Sequence, residues 1–202
     1  MARKAYLRKD RYYKKAKESG FRSRAAYKLV ELNQKFRLLK PGMAIIDLGC
    51  SPGSWLQVIS QEVGPTGTII GVDLEPVTAP AKNVSLIQGD IREERTKQMI
   101  LASLGRKVDL VVSDMSPNLS GIKFQDQYES YELAGHALGI CKLCLRENGG
   151  LVVKVFPGEE TEPLKRELET QFEQVKMFIP DSTRKSSTEV YIVSRGYKPF
   201  PN

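Results

Sequence analysis

MAIIDLGCSPGSW, residues 43–55, is the stretch whose reading decides the fold. Ala44, Ile45, Ile46 and Leu48 form a short apolar run of strand type. Asp47-Leu48-Gly49 leads into a turn of Ser51, Pro52 and Gly53. From Trp55 the pattern becomes helical, with Leu56, Ile59 and Val63 on one face. Strand, tight glycine turn and helix in this order place the turn at the carboxyl edge of an open α/β sheet, where ligands bind. Gly49 and Gly53 would let the backbone approach a ligand closely, since no Cβ intervenes. The spacing is not the GxGxxG of dinucleotide-binding proteins, and an ordinary strand-to-helix turn shares these features. The segments downstream separate the two readings.

Strand and helix alternate along the chain. Thr68–Val72 reads as a second strand ending in Asp73, Val84–Ile87 as a third closed by Gln88-Gly89-Asp90, and Val108–Val112 as a fourth followed by Asp114. Leu151–Phe156 is the fifth. Helices are expected at 23–36, 92–104, 128–146 and from Thr161 or Glu162, with Ser23 as a cap and Pro163 in a first turn. Val175–Ile179 and Val190–Val193 are the last strands; their short connection suggests an antiparallel hairpin. The class is α/β, a doubly wound and mostly parallel sheet. At 202 residues and 41% hydrophobic, the chain suits one such domain. We expect no second domain, membrane span or secretory signal.

Three cysteines fit a reducing cytoplasm better than a disulfide framework. Cys141-Lys-Leu-Cys144 has metal-like spacing, yet there is no second pair and only one histidine, so no metal site is expected. Cys141 falls in the helical series Tyr131, Ala134, Leu138, Cys141, Leu145 and reads as a small hydrophobe.

Net charge is +7. Residues 1–24 hold ten Lys/Arg against two Asp/Glu, a balance of +8, which leaves −1 for residues 25–202. Tyr6, Tyr12, Tyr13 and Phe21 are interleaved with these cations. Cations neutralise phosphates and aromatic rings stack on bases, so we read residues 1–24 as a nucleic-acid-binding arm, RNA-binding once the resemblance below is taken into account. A solvated basic tail is the plainer alternative.

Several polar residues sit where the sheet would place its ligands. Asp73, about 20 residues beyond the glycine turn, could accept hydrogen bonds from a ribose diol, although a turn or cap Asp has the same position. Lys154 lies inside LVVKVF, a strand expected to be covered on both faces. Burial there is costly unless the lysine snorkels at the strand end or does chemistry, because a buried amine is more readily neutral and can act as a base. Asp114 ends the neighbouring strand and Glu189 opens the last. Lys28 lies one position off the apolar stripe Leu29, Leu32, Phe36 and on its own would be a surface lysine.

Together these residues resemble the FtsJ/RrmJ family of S-adenosylmethionine-dependent RNA 2′-O-ribose methyltransferases. The resemblance runs from about Phe21 to Val193. Its Lys-Asp-Lys-Glu tetrad matches Lys28 in SRAAYKLVEL, Asp114 in DLVVSDMSPN, Lys154 in LVVKVF and Glu189 in STEVYIV. The family's cofactor turn is usually DLG-small-small-PGGW; here it is DLGCSPGSW, with Cys50 and Ser54 as departures. The resemblance implies a Rossmann-like methyltransferase fold of seven strands. It implies that Gly53 and Trp55 belong to the turn holding the methionine end of S-adenosyl-L-methionine, that Asp73 binds its ribose and Asp90 its adenine side, and that Asp114 lies near the sulfonium and the target. Lys154 would accept the 2′-hydroxyl proton, Lys28 would orient the substrate, and Glu189 would hold the lysine and ribose. The size and basic arm most resemble the members that methylate a uridine in the A-loop of large-subunit (23S) ribosomal RNA. A tRNA or an mRNA cap remains possible as substrate. A cytoplasmic monomer is expected.

Competing functions fit less of the chain. A nicotinamide-dependent dehydrogenase would use the turn and Asp73 but gives Lys154 no role. A base amino-methyltransferase would want an Asp/Asn-Pro-Pro-aromatic turn where Ser113-Asp114-Met115-Ser116-Pro117 stands. A non-catalytic RNA-binding assembly factor would not need the tetrad.

Overall fold

The computed structural model describes residues 11–199. Among the described residues two helices come first, α1 (Arg11–Glu18) and α2 (Ala26–Phe36), and then β1 (Ala44–Leu48), buried at every position. The rest runs α3 (Ser54–Val63), β2 (Thr68–Asp73), β3 (Val84–Gln88), α4 (Glu94–Ala102), β4 (Val108–Ser113), α5 (Lys123–Cys144), β5 (Leu145–Val155), α6 (Thr161–Gln171), β6 (Phe172–Phe178) and β7 (Val190–Tyr197). The seven strands form one sheet in the order β3-β2-β1-β4-β5-β7-β6. The first five are parallel; β7 runs antiparallel to both β5 and β6. The strand order reverses between β1 and β4, which opens a crevice at their carboxyl ends.

Alternation along the central strands feeds two cores. Ile46 and Leu48 pack with Leu138, Cys141, Leu164 and Leu168, beneath α5 and α6. Ile45 packs with Leu29, Leu32, Leu56 and Ile59, beneath α2 and α3. Strands covered on both faces read as continuous apolar runs, and that made β1, β4 and β5 legible. Cys141 and Cys144 are buried in the first core, where burial pushes both thiols up, that of Cys144 to about 11.

Several boundaries differ from expectation. Helix α5 starts five residues before Tyr128, in a polar segment without periodicity, where Asp126 accepts hydrogen bonds from the Ser120 amide and hydroxyl, both at 2.8 Å. It passes into β5 at Leu145 without waiting for Asn148-Gly149-Gly150, which instead lie in an irregular stretch of the β4–β5 pairing. Strand β6 starts at Phe172, whose ring packs 5.2 Å from that of Tyr197 across the β6–β7 ladder. Helix α4 is confined to Glu94–Ala102. Ser23 lies two residues before the N-cap of α2, Ala25: its hydroxyl accepts from the Ala25 amide at 3.2 Å and donates to Ser54 Oγ at 2.9 Å.

The basic arm has a folded part. Helix α1 buries Ala16, and Tyr12 and Phe21 each bring a ring to 5.7 Å from that of Tyr27 on α2. These two rings are therefore used within the fold, whereas Tyr13 stays exposed. Residues 1–10, including Tyr6, lie outside the described residues. Among the described residues no helix is long and apolar enough to cross a membrane.

Candidate active site

The crevice at the carboxyl ends of β1, β2 and β4 holds a cavity of about 590 Å³, within the range of small-molecule sites. Gly49, Ser51, Asp73, Asp90, Asp114 and Met115 are among its lining residues. The backbone at Gly49 has φ 73°, and a Cβ there would stand 2.8–2.9 Å from Met115, so only glycine lets the loop after β4 close over the turn. Asp73 uses its carboxylate on this frame, accepting from the Ser51 amide at 2.8 Å and the Glu75 amide at 2.9 Å. It is both a turn Asp and a cavity residue. Asp90 faces the cavity with Arg92 laid against its carboxylate, and the Arg92 hydrogen bond holds the Asp90 carboxyl below its ordinary range.

Gly53 and Trp55 do not line this cavity. Trp55 is buried; its indole N–H donates to the Ala25 carbonyl at 2.9 Å and its ring lies 5.8 Å from that of Tyr191. Gly53, at φ 98°, makes room for Arg22, whose Nη1 would stand 2.3 Å from a Cβ at that position. Arg22 Nη1 donates to the carbonyls of Pro52 (3.1 Å) and Thr78 (2.6 Å), tying the turn to the loop after β2. The departures Cys50 and Ser54 are both buried and also lie outside the cavity lining.

Beside the cavity the four charged residues converge from four elements. Lys154 on β5 is 6% exposed; its Nζ donates to the Asp114 carbonyl at 2.7 Å and lies 3.2 Å from Asp114 Oδ1. Asp114 follows β4, and its amide donates to the Leu48 carbonyl at 3.1 Å, extending the pairing with β1 by one residue. Glu189 immediately precedes β7, which begins at this edge because it runs antiparallel to β5. Lys28 Nζ reaches Glu189 Oε1 at 2.5 Å, so Lys28 is paired within this charged cluster and is not an exposed surface lysine. The antiparallel pairing sets Tyr191 opposite Lys154. Its hydroxyl donates to Asp114 Oδ1 at 2.6 Å, and Lys28 Nζ lies 5.9 Å from its ring centre. Tyr191 thus joins the two ion pairs. Sequence reasoning missed it because an aromatic inside VYIV reads as core; its register opposite Lys154 was the available signal.

Electrostatics sort these groups. Burial pushes the Asp114 carboxyl up, but Lys154, Lys28 and the Tyr191 hydroxyl outweigh it and hold it below the ordinary value. Burial, with Asp114 and Glu189 nearby, pushes the Tyr191 hydroxyl well up, so it remains a donor. Asp47, at the end of β1, is wholly buried with no hydrogen-bond partner for either oxygen. Burial, Asp114 and Asp73 push its carboxyl well above the ordinary range.

The family model for FtsJ-like methyltransferases matches residues 21–197. The chain belongs to the FtsJ-like methyltransferase family. Similar proteins within it include the ribosomal RNA large subunit methyltransferases E of Methanobrevibacter smithii and Cellvibrio japonicus. The first is 42% identical, covering 96% of this chain and 92% of the relative; the second is 43% identical, covering 93% and 89%. A crystallised Plasmodium falciparum protein described as a ribosomal RNA methyltransferase superposes with a TM-score of 0.79 at 33% identity, covering 88% of this chain and 98% of that one. Aeropyrum pernix fibrillarin, crystallised with S-adenosyl-L-methionine, shares the fold at a TM-score of 0.56 and 21% identity, covering 84% of this chain and 75% of fibrillarin. The FtsJ-like chain is therefore an enzyme, a methyltransferase, on a Rossmann-like seven-stranded sheet.

Proposed function

We propose that this FtsJ-like enzyme transfers a methyl group from S-adenosyl-L-methionine to the 2′-hydroxyl of a ribose in RNA, the target being a uridine in the A-loop of 23S ribosomal RNA. The observation that carries this reading is the meeting of Lys154 with Asp114 and of Lys28 with Glu189 at one edge of the cavity. The names of its relatives support a ribosomal substrate.

The cavity suits the cofactor. Its volume is sufficient, and Asp73, Asp90 and Asp114 offer carboxylates at the ends of β2, β3 and β4, an acidic setting for a cationic ligand. Asp73 would hold the ribose, Asp90 the adenine side, and Asp114 the region nearest the transferred group. Gly53 and Trp55 would support the methionine end indirectly, through Arg22 and the Ala25 carbonyl. When bound, S-adenosyl-L-methionine supplies a methyl group already activated by its positive sulfur.

A ribose hydroxyl is a weak nucleophile, so the residues must align it and remove its proton. Lys154, as the general base, takes that proton on Nζ. Asp114, held by Tyr191, fixes the position of the amine through its carbonyl and carboxylate. Lys28 and Glu189, paired beside them, would orient and hold the ribose. Residues 1–24 supply phosphate contacts without sequence choice. Lys154→Ala and Lys154→Arg test the assignment. Both should lose methyl transfer while retaining cofactor affinity, since guanidinium cannot accept a proton. An active Lys154→Arg enzyme with an unchanged pH profile removes Lys154 as the base.

A further inference from the structure

A second cavity, of about 290 Å³, opens at the opposite edge of the sheet, where β1 and β4 begin. Arg37, Lys40, Arg106, Arg146 and Arg195 line it, and Asp109 is the one carboxylate among its lining residues. Asp109, its side chain 10% exposed, organises two of the cations: it meets Arg106 at 2.9 Å and Arg146 at 2.6 Å while accepting from the Ala44 amide at 2.7 Å. Backbone carbonyls fix the same guanidiniums from their other sides, Gly42 for Arg106 and Glu147 for Arg146. A guanidinium has five N–H donors, so each keeps donors to spare. Arg37, Lys40 and Arg195 are exposed, and their side chains form no ion pair among the described residues. Arg37 (φ 52°) and Asn148 (φ 60°), the two non-glycine residues with positive φ among those described, both line this cavity.

Outside residues 1–24 the chain carries a balance of −1, so five cations around one committed carboxylate are a local concentration and not a share of a general excess. Preoriented guanidiniums match phosphate geometry better than point charges do. We propose that this cavity binds a phosphodiester of the RNA substrate at a distance from the methylated nucleotide. The five residues of β1 separate it from the crevice by roughly 16 Å, so one RNA held at both edges must pass around the domain. The inference rests on the RNA reading above.

The test is the full-length enzyme with Arg37→Gln, Lys40→Gln and Arg195→Gln together, which leaves Asp109 and its two arginines in place. Two RNAs are compared: full-length large-subunit ribosomal RNA and a short hairpin carrying only the methylated loop. Affinity for the long RNA should fall at least tenfold, and its slope against log salt should shrink by about two, at roughly 0.7 per lost single-strand contact. Affinity for the hairpin and for the cofactor should stay unchanged. Equal affinity for the long RNA in variant and wild type overturns the site, as does an equal loss on both RNAs. Saturable binding of inorganic phosphate, lost in the variant without loss of RNA affinity, would assign the cavity to free anions and also overturn it. A wild-type enzyme that methylates neither RNA refutes the methylation reading instead, and the binding data still decide this one.

Discussion

The Tyr191 hydroxyl donates to Asp114 Oδ1 at 2.6 Å, and the same Tyr191 stands opposite Lys154 in the β5–β7 ladder. The last strand of the chain thereby grips the carboxylate that Lys154 also meets. Tyr191→Phe keeps the ring against Trp55 and removes only this hydrogen bond. A buried bond to a charged group is worth roughly 1.5–3 kcal/mol, so the variant should unfold at correspondingly lower denaturant. Single-turnover methyl transfer should fall about tenfold or more with cofactor affinity little changed, the loss expected of roughly 1.4 kcal/mol in the transition state. Undiminished turnover would show that Asp114 needs no such support.

Asp73→Ala should weaken S-adenosyl-L-methionine binding by about ten- to a hundredfold, the equivalent of roughly 1.5–3 kcal/mol for a bond to a charged acceptor. Part of that loss reflects the freed Ser51 and Glu75 amides. Asp73→Asn keeps an acceptor and should recover part of it. Calorimetry that finds both variants binding as wild type removes Asp73 from the site.

Gly53→Ala and Arg22→Ala should act on the same contact. The first forces a Cβ against the guanidinium and costs roughly 1–2 kcal/mol from the left-handed backbone alone. The second abolishes the bridge between Pro52 and Thr78. Both should raise the KM for the cofactor, and the double variant should be less impaired than the product of the two. Strictly multiplicative effects would show that Arg22 and Gly53 work separately.

The raised Asp47 carboxyl predicts a pH signature. Between its unfolded value near ~3.9 and its folded value, the native state binds more protons than the unfolded state, so stability falls as pH rises through that window. Asp47→Asn carries no titrating group and should show a flatter decline of melting temperature above pH 4. Parallel curves for the two proteins would mean that Asp47 ionises without cost in the native state.

Arg11, Lys14 and Lys17 are exposed on α1. Replacing the three with glutamine should lower RNA affinity and reduce the salt slope by about two, by the same ~0.7 per contact. Cofactor affinity should not move. An unchanged slope would make the described part of the arm a structural brace only.

The sheet was legible because its central strands are apolar on both faces and its turns carry Gly, Pro and Asp. The crevice was legible because Asp73, Asp90 and Asp114 each stand at or just beyond the carboxyl end of a strand. Lys154 stood out because a lysine inside an apolar strand needs an explanation. Lys28 did not, because helical periodicity places a residue on a face but says nothing of a partner 161 positions away. Trp55 follows the turn in sequence, yet apolar burial draws its ring inward, towards Tyr191, while Gly49 and Ser51 of the turn line the cavity. The start of α5 was hidden because Lys123–Gln127 lacks periodicity, and the start of β6 because an edge strand exposes much of its length.

Strand β7 lies between β5 and β6 although it is made after both. Until it arrives, β5 has an open edge, β6 has no neighbour in the sheet, and neither Glu189 nor Tyr191 exists to meet Lys28 and Asp114. A chain emerging during synthesis can therefore complete most of the crevice at the ends of β1, β2 and β4 while the charged edge beside it is still unbuilt. The charge arrangement and the closure of the sheet are completed in one late step. Loss of this strand by premature termination would remove Val190–Val193 from both cores, leave β5 unpaired along one edge and leave the charge arrangement incomplete.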